Sequence, residues 1–128
     1  MLQKAAWESA GRLQFIRASA ASSRNMGAIA ERSGGPEADT IEVETVTLDD
    51  YCRQVRPPTL LKVDVEGAEI QVLRGASEML RSVRPTLLVE VHCPEFVTLI
   101  EDLLPGYLLR RLADGPAGFP GHYVAIPF

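Results

Sequence analysis

The stretch Thr59-Leu60-Leu61-Lys62-Val63-Asp64-Val65-Glu66-Gly67-Ala68-Glu69 decides how this chain is read. Its first half is almost wholly apolar and β-favouring, the composition of a central parallel strand. Its second half leaves the strand: Gly67 permits a tight turn, and Glu69 suits the positive end of a following helix. Carboxylates therefore collect at and just past the carboxyl end of a buried strand. Open α/β sheets bind their ligands there.

Downstream, Val72, Ala76, Met79 or Leu80, and Val83 recur at helical spacing, with Gly75 placed to bend or break the helix. Pro85 resets the chain, and Thr86 to Val91 reads as a second buried strand. Phe96, Ile100, Leu103 and Leu104 mark one face of a further helix that stops near Pro105-Gly106. Two last strands, 107–112 and 123–126, are joined by a Gly/Pro loop over 114–121. The alternation predicts an α/β fold with a mostly parallel sheet. The final pair lacks a crossover helix, so the last strand is expected to run antiparallel.

Upstream, Ile41 to Val46 alternates apolar and polar residues, the period of a half-buried strand. Thr47 is placed to cap a short helix, with Asp49 and Asp50 in its first turn and Pro57-Pro58 barring its continuation. Residues 2–7 and 13–16 read as two strands of a hairpin around the turn-like Glu8-Ser9-Ala10-Gly11. Residues 18–39 contain Ser33-Gly34-Gly35-Pro36 and read as a mobile loop, with a short helical turn near Met26 to Ala30. The 128 residues thus form a single domain: an N-terminal hairpin and loop over 1–40, and an α/β core over 41–128.

The net charge of -4 excludes a basic field that would draw nucleic acid or an anionic membrane. No stretch has the length and apolarity of a membrane span, and the N-terminus has no signal-peptide pattern. Cys52 and Cys93 show neither a disulfide framework nor zinc spacing, and are read as reduced thiols of a cytoplasmic protein.

The chemistry centres on Asp64, Glu66 and Glu69 after one strand and on Glu90 and His92 at the end of the next. Each has an ordinary structural explanation alone. Lys62 fits a simple ion pair, Glu69 a helix start, and His92 an exposed loop position before Pro94. Together they bring several ionisable groups to one crevice, which packing does not account for.

Leu48-Asp49-Asp50, Leu61 to Glu69, Val72-Leu73-Arg74-Gly75-Ala76, Pro85 and Leu88-Val89-Glu90-Val91-His92 follow one another in an order that resembles the FkbM methyltransferase pattern. The likeness is close over about residues 41–93, and weaker through Ala5-Ala6-Trp7, Gly11 and Phe15. It implies a Rossmann-like fold whose fourth to seventh strands lie in the order four, five, seven, six, with 59–65 as the fourth. It implies S-adenosylmethionine as methyl donor and an oxygen acceptor on a small molecule or sugar. Asp64 would approach the donor methyl and the acceptor, and Glu66, Glu69, Glu90 and His92 would line the acceptor side. His92 or Asp64 would take the hydroxyl proton, since a neutral hydroxyl is a poor nucleophile.

The donor motif of such enzymes, a Gly-rich turn between a first strand and helix, has no counterpart here. Gly34-Gly35 falls in a loop, and Gly115, Gly118 and Gly121 fall between the last strands. The chain is therefore read as the acceptor-side, truncated part of a methyltransferase domain. The alternative is a non-catalytic remnant that acts by protein association. A metal-assisted hydrolase built on Asp64, Glu66, Glu90 and His92 ranks below both, because only one histidine sits near the cluster, and no metal is assigned. Without the first strands, 59–65 has an empty edge, so a homodimer through that edge or poor solubility is expected.

Overall fold

The computed structural model describes residues 3–16, 28–29, 40–115 and 118–128. Most of the expected loop over 18–39 lies outside them. At Ala28–Ile29 the backbone is a strand paired antiparallel with 15–16, not the helical turn expected there. Strand pairing to Phe15 and Ile16 extends the backbone at these two residues, and local composition carries no trace of it.

Two four-stranded sheets account for the described strands. The first joins β1 (Ala5–Ala6), β2 (Gly11–Ile16), β3 (Ala28–Ile29) and β4 (Thr40–Val46) in the order β1-β4-β2-β3. The expected hairpin between the two N-terminal strands is not formed. β4 lies between them, parallel to β1 and antiparallel to β2 over six residue pairs. Side chains favour this register: Arg12 meets Glu42 at 2.7 Å, and the buried Thr45 hydroxyl donates to Ser9 O at 2.9 Å.

Thr47 ends β4 and caps α1 (Leu48–Cys52), its hydroxyl oxygen accepting from Asp50 N at 3.0 Å. β5 (Leu60–Val63) follows, then α2 (Glu69–Arg74) and α3 (Ser77–Ser82). The break at Gly75 has a packing cause. A Cβ there would lie 2.0 Å from the carbonyl oxygen of Trp7, so only glycine lets the N-terminal segment rest against the joint. β6 (Thr86–Val91), α4 (Phe96–Leu103), β7 (Tyr107–Asp114) and β8 (Gly121–Pro127) complete the chain.

The second sheet runs β5-β6-β8-β7, the four-five-seven-six order. β5 and β6 are parallel with Val63 opposite Val89, and both valines are buried. The last strand, β8, is antiparallel to both neighbours, as expected. A mostly parallel sheet is not what results. Inserting β8 between β6 and β7 makes both of its ladders antiparallel, and the first sheet adds two more antiparallel pairs.

Only one face of this sheet is deeply buried. Val63, Leu87, Val89, Val91, Tyr123 and Ala125 point into a core shared with Ile70, Leu73, Met79, Leu80 and Ile100 of the helices. α2 packs on α4, and α1 on α3. On the opposite face Leu60 and Leu108 remain 56% and 54% exposed. The sequence reads β5 as apolar on both faces, yet among the described residues a single layer of helices covers it.

Candidate functional site

β5 ends at Val63 and Asp64 stands just beyond it, its carboxylate held by Lys62 Nζ at 2.8 Å. The chain then turns through two left-handed residues, Glu66 at φ 52° and Gly67 at φ 93°. Glycine adopts this conformation freely, but for glutamate it is strained by about 1–2 kcal/mol. The turn swings the Glu66 carboxylate toward the end of β6. Glu69, the first residue of α2, is fully buried, and its Oε1 accepts the Gly67 amide at 3.0 Å.

Glu90 lies near the end of β6 and His92 just past it. Parallel pairing of β5 and β6 brings both strand ends to one edge, so the two groups of side chains meet. His92 is the centre. Its Nδ1 lies 2.6 Å from Glu69 Oε1, and its Nε2 lies 3.0 Å from Glu66 Oε2 and 3.7 Å from Glu90 Oε1. Ligand atoms of Asp64, Glu66 and His92 all fall within 4.8 Å of one another. The five residues singled out in the sequence thus converge. The imidazole is mostly buried, which lowers its pKa. The hydrogen bond to Glu69 and the charges of Glu66, Glu69 and Glu90 outweigh burial and hold it above its ordinary value. His92 therefore tends to remain imidazolium, bridging two carboxylates.

His122 escaped the sequence reading. It stands opposite Glu90 on β8, with Nδ1 3.7 Å from Glu90 Oε2. Only the β6–β8 register places it there, and a sequence does not print its register. The site is an open crevice. Two apolar-lined clefts of about 160 and 420 Å³ lie elsewhere, along α1 and α3 near Pro57 and Pro58. They are remote from the strand ends that carry the carboxylates, and the chemistry is argued from the strand ends.

Among the described residues no helix is long and apolar enough to cross a membrane. The structure is similar to the crystal structure of a methyltransferase FkbM from Methylobacillus flagellatus KT, with a TM-score of 0.54 and 20% identity. The match covers 66% of this chain and 23% of that one, so this chain spans under a quarter of its neighbour's length. At that identity the likeness speaks for the fold. No curated protein matches the chain. Residues 5–111 match the family described as the methyltransferase FkbM domain. That span is well over half of the 128 residues, and it contains every strand-end carboxylate described above; the chain belongs to the FkbM methyltransferase family.

Proposed function

We propose that this chain forms the acceptor side of an S-adenosylmethionine-dependent O-methyltransferase acting on a small molecule or sugar hydroxyl in the cytoplasm. The observation that carries the reading is the convergence of Asp64, Glu66, Glu69, Glu90 and His92 at adjacent parallel strand ends in a member of this family. The donor supplies an electrophilic methyl group on a sulfonium. A cluster of carboxylates suits that positive charge, and Asp64 is the residue proposed to face it. The described residues offer no Gly-rich turn for its methionine part, and Gly121 is closed off by the Tyr123 ring 2.8 Å from where its Cβ would stand. Donor binding by this chain alone is accordingly expected to be weaker than micromolar.

The acceptor hydroxyl must lose its proton as its oxygen attacks. Asp64 stands at the open end of the crevice and takes that proton in this reading. His92, held as imidazolium, fixes Glu66 and Glu90 as acceptors for the other substrate hydroxyls. Its own turn as base comes only when it is neutral. Glu69 is buried beneath His92 and acts on the substrate through it. Transfer then depends chiefly on alignment of oxygen, methyl and sulfur.

The test is methyl transfer from labelled donor to a panel of polyhydroxyl acceptors, in the protein that carries these residues together with a donor-binding segment. Asp64→Asn and His92→Gln are expected to lower turnover about 100-fold or more, the range of general acid–base contributions, with urea midpoints shifted little for Asp64→Asn. Full turnover in both variants would rule out these roles. The second reading, a non-catalytic module acting by association, is favoured by one observation: among the described residues no strand pairs with the outer edge of β5. Calorimetric titration of the donor separates the two.

A further inference from the structure

We propose that Asp64, Glu66 and His92, with Glu90 beside them, form a binding site for a divalent cation. Three observations point there. The first is spacing. Ligand oxygens lie about 2.0–2.6 Å from such ions, so two ligands of one ion stand up to about 5 Å apart. The atoms offered by Asp64, Glu66 and His92 lie within 4.8 Å of one another.

The second is the support behind the histidine. His92 Nδ1 is held at 2.6 Å on Glu69 Oε1, which leaves Nε2 turned to Glu66 and Glu90. A carboxylate that fixes one imidazole nitrogen so that the other faces the ligands is the usual arrangement behind a metal-bound histidine. Glu69 has no solvent exposure and cannot be a surface acid that happens to lie nearby.

The third is an unanswered charge. The Glu69 carboxylate is aimed into the cluster through Oε1, yet its buried Oε2 has no hydrogen-bond partner among the described residues. Four carboxylates (Asp64, Glu66, Glu69, Glu90) face one ammonium, Lys62, and one imidazole, His92. Even with His92 protonated, four negative charges meet two positive ones. A divalent ion offsets the remainder and replaces the proton on Nε2. Carboxylates with a single imidazole suit manganese better than calcium, which prefers oxygen alone.

Cation binding goes beyond methyl transfer and does not require the donor. Where the proposed function also holds, an acceptor hydroxyl that joins the ion becomes more acidic, which favours acceptors with neighbouring oxygens.

The experiment is titration of the purified chain with manganese(II) alone, followed by calorimetry and by the loss of the free-ion paramagnetic resonance signal. One ion per chain is expected, with broadening of the His92 ring resonances. Asp64→Asn and Glu66→Gln should each weaken binding at least about tenfold, with unchanged circular dichroism showing that both still fold. Absence of saturable binding up to millimolar ion, or equal affinity in both variants, would overturn the site. Since no donor is present, failure here leaves the methyltransferase reading standing, and failure of methyl transfer leaves the ion site standing.

Discussion

His92 ties α2, the Glu66 turn and β6 together through one imidazole, and it does so best when protonated. Burial works against the proton. Glu69, Glu66 and Glu90 prevail, and the pKa stands above its ordinary value. Asp64 and, through Glu90, His122 complete the charged groups around it. A group whose pKa rises on folding adds stability that is complete below its unfolded value, about 6.5 for histidine, and disappears as pH climbs through the folded value. In chelator, the stability advantage of the wild type over His92→Gln is therefore expected to be largest below about pH 6.5 and to shrink above it. Urea unfolding across the pH range measures this, and an advantage that grows toward alkaline pH would contradict it. The sequence showed all five ionisable residues because strand ends are visible in hydrophobic patterning. It did not show that Glu69 is fully buried, because burial of a helix's first residue depends on what packs over it.

Asp49 shows the same division between local and distant contacts at the scale of elements. In the sequence it reads as a first-turn acid of its own helix, α1. Its larger role is across space: Oδ1 accepts from Met79 N at 2.8 Å and Oδ2 from Glu78 N at 2.9 Å, capping α3. α3 has no side-chain cap of its own. Asp49→Ala is expected to cost about 1 kcal/mol, the worth of a helix N-cap, and Asp49→Asn less, by chemical denaturation. The Thr47 cap was legible because its partner lies three residues away, whereas the Asp49 partners lie 29 and 30 away. The N-terminal strands repeat the lesson. Turn residues at 8–11 suggest a hairpin, but β4 intrudes between the two strands from more than two dozen residues downstream. The β5–β6 pair was legible from its apolar runs alone. Leu87, with no exposed surface, is expected to cost about 2–5 kcal/mol on truncation to Ala.

Across the whole molecule, the second sheet has helices on one face and a strand edge without a partner among the described residues. Leu60, Leu108 and Ile126 share the uncovered face and are all exposed. Val55 and Tyr51 add exposed apolar surface on the α1 side of β5. The N-terminal strands do not slide in to cover the edge, since they form a sheet of their own. Unpaired backbone N–H and C=O groups beside apolar side chains are a template for a further strand. A buried backbone group left without a partner costs about 1–3 kcal/mol, so pairing is favoured as soon as the edge is shielded from water. The occupant we propose is a second copy of this chain, β5 against β5, which supplies an identical short apolar strand to the edge. Sedimentation over a range of concentrations is expected to show a monomer–dimer equilibrium or precipitation. Leu60→Lys, which sets a charge on the uncovered face at the edge strand, should shift the equilibrium to monomer without disturbing the buried Val63–Val89 pairing. A wild-type chain that stays monomeric and soluble at high concentration would show that the edge is already satisfied, and the association reading would then be abandoned.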